Sequence, residues 1–281
     1  MEISRRSILK AGAGAAAAAC LTSLDPRHAG AQEHKKIPVG LQLWSLRDEA
    51  AKDLLGVLRT ASKMGYDGVE FAGYFNHPAV ELRKTLDEHG LKCCGTHTGL
   101  ETLLGDALPA TIEFNKTLGN PFLIVPSLPA ERTANVEALK DTAKLFTEIA
   151  AKTKPAGLRV GFHAHAPDFR PVDHSTPWDL IFTNAGPDVV MQLDVANCLA
   201  GGGDPVAILK KYPGRYKTIH LKEHGKPGVL IGDGQIPWKD VLSICETTGG
   251  TEWFVIEQET YVDTPLESVR KDLENLRKLL R

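Results

Sequence analysis

The chain has 281 residues, 42% of them hydrophobic, and carries 33 Lys and Arg against 35 Asp and Glu for a formal net charge of -2. Such a length holds one large domain or two smaller ones, and the near balance of charge argues against the clustered basic face of a nucleic-acid binder. No apolar stretch reaches the roughly 20 residues of a spanning helix, which excludes a stable helical membrane span.

The first segment, Ser4-Arg5-Arg6-Ser7-Ile8-Leu9-Lys10, carries paired arginines ahead of an alanine-rich apolar stretch from Ala11 to Leu21 and a small-x-small site at Ala29-Gly30-Ala31. These features resemble a twin-arginine export signal over residues 1–31. The resemblance implies a periplasmic protein that begins near Gln32 and crosses the membrane already folded, with any metal loaded beforehand. Cys20 follows Ala17-Ala18-Ala19 without the large aliphatic residue that usually stands three places before a lipidated cysteine, which argues against lipoprotein anchoring. No Ser/Gly-rich linker, charge run or short repeat divides residues 32–281, so they are read as one domain.

Within that domain, strand-like and helix-like segments alternate. Apolar runs at 39–44, 68–71, 91–96, 122–126, 158–163, 189–194, 216–221 and 253–257 predict eight strands buried on both faces, as in parallel sheets. Helical spacing of apolar residues appears at 53–58, 80–86, 138–151 and 266–280. Gly65, Gly90, Gly119, Gly157 and Gly249 follow helix-like stretches, where a left-handed cap suits glycine. Asp204-Pro205 reads as an N-cap followed by a first-turn proline. Eight such βα units predict a single α/β chain folded as a closed (β/α)8 barrel, with an open doubly wound sheet as the alternative. No strand leads into a G-x-G-x-x-G turn, which weakens a dinucleotide site. Cys93, Cys94, Cys198 and Cys245 read as core residues rather than disulfides; the adjacent pair points to opposite strand faces.

Polar residues cluster at the ends of these runs: Glu70, His97, His163, His165, Asp194, His220, Lys222 and Glu257. A (β/α)8 barrel places its catalytic groups there. Period-two geometry puts His163 and His165 on one face, and likewise His220 and Lys222. A lone strand-end His is more often structural, and Asp194 has an alternative role as an N-cap. Four ligand-type side chains at four consecutive strand ends would make a poor core, because buried charge is costly unless paired or metal-bound. The polar groups at the ends of strands five to eight are therefore read as a divalent-metal site. Mixed imidazole and carboxylate donors favour Mn2+, Zn2+, Co2+ or Fe2+ over Ca2+. Glu257, Glu70 and His165 are candidate bases, Lys222 a candidate partner for a developing oxyanion, and Trp44, His97 and Asp168 candidate substrate contacts.

The segment His163-Ala164-His165-Ala166-Pro167-Asp168-Phe169 resembles the strand-five H-N-H-x-x-E-F motif of sugar phosphate isomerase/epimerase-like proteins, the xylose isomerase-like barrels. Gly68-Val69-Glu70, Thr96-His97-Thr98-Gly99, Leu193-Asp194-Val195-Ala196-Asn197 with Gly203-Asp204-Pro205, and Ile219-His220-Leu221-Lys222-Glu223 extend the likeness. Gly232-Asp233-Gly234-Gln235-Ile236-Pro237-Trp238 and Val255-Ile256-Glu257-Gln258 complete it across residues 32–281. The resemblance implies one divalent ion held by Asp194, His220 and Glu257. His163 stands where many relatives have a Glu ligand, so either its imidazole is the fourth ligand or that position is vacant, and the change removes one of the two carboxylates that exchange protons in two-base epimerases.

The implied activity is a metal-dependent sugar isomerase or epimerase that removes a proton next to a carbonyl. The alternatives are a lyase or hydratase of 3-keto-sugars or keto-glycosides on the same barrel, and a noncatalytic periplasmic sugar-binding protein. A DNA-repair endonuclease would want a trinuclear zinc cluster and a basic face. The expected partner is a small sugar or keto-sugar, and the resemblance also admits a homodimer.

Overall fold

The computed structural model describes residues 36–281; the signal-like segment, the expected start near Gln32 and Cys20 lie outside the described residues. Among the described residues, β1 (Val39–Gln42), β2 (Gly68–Phe71), β3 (Lys92–His97), β4 (Phe122–Val125), β5 (Arg159–His163), β6 (Val190–Asp194), β7 (Thr218–Leu221) and β8 (Trp253–Ile256) pair in sequence order, all parallel. Pairing of β8 with β1 closes the barrel, so the closed fold holds over the open sheet.

Helices α1 (Arg47–Met64), α2 (Ala79–Glu88), α3 (Leu108–Leu118), α4 (Val136–Thr153), α5 (Pro177–Asn184), α6 (Val195–Ala200), α7 (Pro205–Lys211), α8 (Trp238–Thr247) and α9 (Pro265–Leu279) connect or follow the strands. The predicted start at Asp53 is a break inside α1: Asp53 leaves helical geometry and its Oδ1 accepts from Gly56 N–H at 2.8 Å, capping the second segment. Asp204 caps α7 as expected, accepting from Val206 and Ala207 N–H. Gly249 is not the left-handed residue after α8. Gly250 takes that geometry (φ 70°), because the helix C-cap falls at Thr248.

Alternation along each strand sends one set of side chains outward against the helices and the other into the barrel. Phe122, Ile124 and Val190 fill the interior with Trp253 packed against them. Above them the interior turns polar, with Gln42, Glu70, Gln192, Thr218 and His220 all fully buried. Glycine makes room for this layer. A Cβ at Gly95 would sit 2.4 Å from Glu70 Oε1. The four cysteines of the described residues are free and buried.

Candidate active site

Strand register brings the site together. Asp194 on β6 lies beside His220 on β7, and His163 on β5 beside Gln192 on β6. His163, Asp194, His220 and Glu257 each offer one atom, all within 4.8 Å of one another, a spread that a single cation can bridge. His97, His163 and His220 form a second, overlapping trio.

Hydrogen bonds beneath the cluster fix how its imidazoles face. Gln192 Nε2 donates to Glu70 Oε1 at 2.7 Å, which turns Gln192 Oε1 toward His163 Nδ1 (3.0 Å) and His97 Nε2 (3.1 Å). Both imidazoles must donate there, so the Nε2 lone pair of His163 stays free. Burial, with the neighbouring His220 and His97, holds the His163 pKa well below its ordinary value, and the ring is neutral and ready to ligate. His220 Nε2 lies 2.6 Å from Glu70 Oε2, and its Nδ1 faces Glu257 Oε2 at 3.2 Å. Burial alone would lower the His220 pKa, but the Glu70 and Glu257 carboxylates reverse that and push it up to about 10.

Asp194 has a double part. Its Oδ1 accepts from Asn197 N–H at 2.7 Å and caps α6, the bland role open to it from sequence. Its Oδ2 is buried and lacks a hydrogen bond, lying 3.0 Å from Lys222 Nζ but out of line for one. Burial raises the Asp194 pKa, which Lys222 only partly offsets. A buried carboxylate oxygen left in this state, facing neutral imidazole and a second carboxylate, fits the donor set of a divalent cation.

Lys222 Nζ reaches three carboxylates: Glu259 at 2.7 Å, Asp194 at 3.0 Å and Glu257 at 3.5 Å. Burial would lower its pKa; the three carboxylates hold it above the usual lysine range. The same ammonium, with His220, outweighs burial at Glu257 and keeps that carboxyl well below its ordinary pKa.

A cavity of about 490 Å3 opens over the cluster, lined among others by Trp44, His97, His163, His165, Glu257 and Glu259. Trp44 is 45% exposed at its rim, and His165 is exposed at the end of β5. Burial lowers the His165 pKa despite Asp194 and Glu257 nearby, which leaves a neutral imidazole able to accept a proton. Five expected site residues do not line this cavity; Asp194 and His220 belong to the cluster but not to the cavity wall. Glu70 is fully buried, with oxygens engaged by Gln42, Gln192 and His220, and does not line the cavity. Asp168, expected to touch substrate, turns inward and accepts from His165 N–H at 2.7 Å, holding the turn after β5. Lys222 lines a smaller adjoining cleft of about 240 Å3.

Gln42, Gln192 and Glu259 escaped the sequence reading. The first two are polar interruptions in apolar strand runs, and Glu259 stands two residues beyond Glu257, the same spacing that relates His163 to His165. Glu223 was also passed over. Its carboxylate accepts from His224, Gly232 and Ile236 N–H and from Trp238 Nε1, and so organises the loop between β7 and α8.

A closed parallel barrel with imidazoles and carboxylates gathered over its C-terminal mouth defines the xylose isomerase-like class of barrels. Residues 58–279 match the xylose isomerase-like TIM barrel family, and the chain belongs to that family. Residues 2–22 match the signal sequence of the twin-arginine translocation pathway. An inosose dehydratase from Clostridium tetani is 26% identical over 44% of this chain and 48% of its own length. A 2-oxo-tetronate isomerase from Haemophilus influenzae is 29% identical over 40% of this chain and 50% of its own length. The chain thus spans about half the length of these enzymes. A solved sugar phosphate isomerase/epimerase from Parabacteroides distasonis superposes with a TM-score of 0.72 at 26% identity, covering 85% of this chain and 93% of that one.

Proposed function

We propose that the chain is a divalent-metal-dependent sugar isomerase or epimerase that works by removing a proton from the carbon next to a carbonyl. The observation that carries this reading is the four-residue cluster of His163, Asp194, His220 and Glu257, of which His163 and Glu257 line the cavity, with the buried Asp194 Oδ2, which accepts no hydrogen bond, among its donors. When bound there, a divalent cation supplies Lewis acidity that favours enolate charge, worth several kcal/mol.

The chain's own residues do the rest. Gln192 and Glu70 orient His163 and His220 from below; His163 offers its free Nε2 lone pair, whereas His220 would give up the Nδ1 proton it directs at Glu257 when a cation binds. Glu257 and His165 face the cavity and carry the proton off the substrate carbon, a role worth about 10^2–10^4-fold. Lys222 offsets the charge of Asp194, Glu257 and Glu259 and offers an ammonium toward substrate oxygen from the adjoining cleft. His97 and the exposed face of Trp44 hold the sugar's hydroxyl and C–H faces.

A second reading, a lyase or dehydratase of a keto-sugar, shares the proton removal and differs only in the fate of the neighbouring oxygen. The likeness to inosose dehydratase favours it. The match at residues 2–22 supports export to the periplasm, leaving a barrel of residues 32–281. Replacing Arg5 and Arg6 together by Lys should hold the protein in the cytoplasm; unchanged periplasmic recovery would contradict a twin-arginine route.

Metal analysis tests the site directly. Purified mature protein should contain about one divalent ion per chain, and the Asp194→Ala, His220→Ala double variant should lose it while keeping its circular dichroism. Full metal content in that variant would overturn the assignment.

A further inference from the structure

The cavity over the cluster carries a bias of charge that the metal site alone does not explain. Among the described residues, Glu257 and Glu259 supply its carboxylates and no Lys or Arg side chain lines it; its other polar groups are the imidazoles of His97, His163 and His165 and the Ser127 hydroxyl. Glu257 belongs to the four-residue cluster, whereas Glu259 stands outside it. Glu259 is also the more open of the two, its side chain 42% exposed against 4%. Only one of its oxygens is engaged. Oε2 accepts from Lys222 Nζ at 2.7 Å, and among the described residues nothing donates to Oε1.

The backbone on either side of Glu259 is pinned. Gln258 N–H donates to Ser45 Oγ at 2.9 Å and Gln258 Nε2 to Val229 O at 3.1 Å, while Thr260 Oγ1 accepts from Gly228 N–H at 2.8 Å. The carboxylate is thus mounted on a fixed segment between the cavity and the adjoining cleft, both of which it lines, and little freedom is lost when it takes a ligand.

Lys222 does not cancel the negative charge. Its ammonium faces Asp194, Glu257 and Glu259 at once, one positive charge against three negative ones, and it lines the cleft rather than the cavity. A divalent cation at the cluster would bring this group to neutrality, with no surplus positive charge for an anion on the substrate. Arg47, at the start of α1, packs over the Trp44 ring and donates to Trp44 O and Tyr261 OH without lining the cavity. A carboxylate oxygen with free lone pairs accepts sugar hydroxyls in charge-assisted hydrogen bonds and repels phosphate and carboxylate groups.

We infer that Glu259 is a substrate-binding and specificity residue: its Oε1 accepts hydroxyls at the end of the sugar remote from the cluster, and its charge bars a phosphate or carboxylate there. This role rests on the proposed function, which sets the reacting carbonyl over His163, Asp194, His220 and Glu257.

The test titrates D-fructose and D-fructose 6-phosphate, a ketose and its own phosphate, into metal-loaded mature protein. The free sugar should bind about 10-fold tighter or better than the phosphate. Glu259→Gln, which keeps the shape and removes the charge, should retain the metal, weaken the free sugar by about 10-fold and abolish the discrimination. Glu259→Asp should preserve the discrimination while weakening the sugar. Phosphate bound as tightly as the sugar by the unaltered protein would make the cleft of Lys222 and the exposed Lys226 an anion site and overturn the role of Glu259. A sugar affinity unchanged in Glu259→Gln, loss of metal from that variant, or no binding of either compound would overturn it as well. If ketoses still exchange the hydrogen next to their carbonyl with solvent in any of these cases, only the role of Glu259 falls; absence of both binding and exchange across a panel of sugars would overturn the functional reading with it.

Discussion

Glu70 on β2 and His220 on β7 meet inside the barrel, Oε2 to Nε2 at 2.6 Å, and both side chains are fully buried. The contact ties the outer nitrogen of His220 to a carboxylate and leaves its Nδ1 facing Glu257. Glu70 itself is held by Gln42 and Gln192, and space for it exists because β3 carries glycine at position 95. It is a positioning residue that sets the cluster above it.

Glu70→Gln should therefore weaken metal affinity by about 10–100-fold while the barrel stays folded, since the amide keeps the shape but not the charge behind His220. Competition with a fluorescent chelator reads the affinity. An unchanged affinity would assign Glu70 to packing alone.

His165 should behave in the opposite way. It stands exposed at the cavity rim, outside the group of four, so His165→Ala should keep the metal and lower kcat by about 10^2-fold with little change in KM. Steady-state kinetics with metal analysis on the same sample checks this; an equal loss of metal and activity would make His165 a ligand instead.

Away from the site, Asp272 on α9 gives the protein a pH signature. Its Oδ1 accepts from Ile231 N–H at 2.8 Å, its Oδ2 is buried without a hydrogen bond, and burial pushes its pKa up to about 7. The folded state thus holds a proton that the unfolded chain, with a carboxyl near pKa 3.9, gives up earlier. Stability from this group is fully present below about pH 4 and is lost as pH rises through about 7, by an amount on the order of a few kcal/mol. Urea denaturation across that range should show the decline in the unaltered protein and a flatter profile in Asp272→Asn.

The strand count was legible because parallel strands buried on both faces read as continuous apolar runs, and the gathering of polar side chains at the strand ends because period two fixes which side chains share a face. Contacts across the barrel were not legible. Glu70 and His220 are 150 residues apart, and only closure of β8 onto β1 with a specific register makes them neighbours. Asp168, a candidate substrate contact within the strand-five motif, has its carboxylate engaged by the His165 N–H through local turn geometry. Gln42 and Gln192 were hidden as isolated amides in strands that otherwise read as core, although they carry the hydrogen bonds that aim the imidazoles.

The most direct test of the account follows solvent hydrogen. Mature protein incubated in D2O with its sugar or keto-sugar should place deuterium at one carbon, the one next to the carbonyl. Exchange should stop when a chelator strips the metal and return when a divalent ion is restored, and Glu257→Gln should greatly slow it. Label kept in an isomer or epimer marks the isomerase reading, and label with loss of water or of an aglycone marks the lyase reading. Exchange that continues unchanged in metal-free protein, or a panel of sugars and keto-sugars that binds with neither exchange nor product, would contradict the central claim.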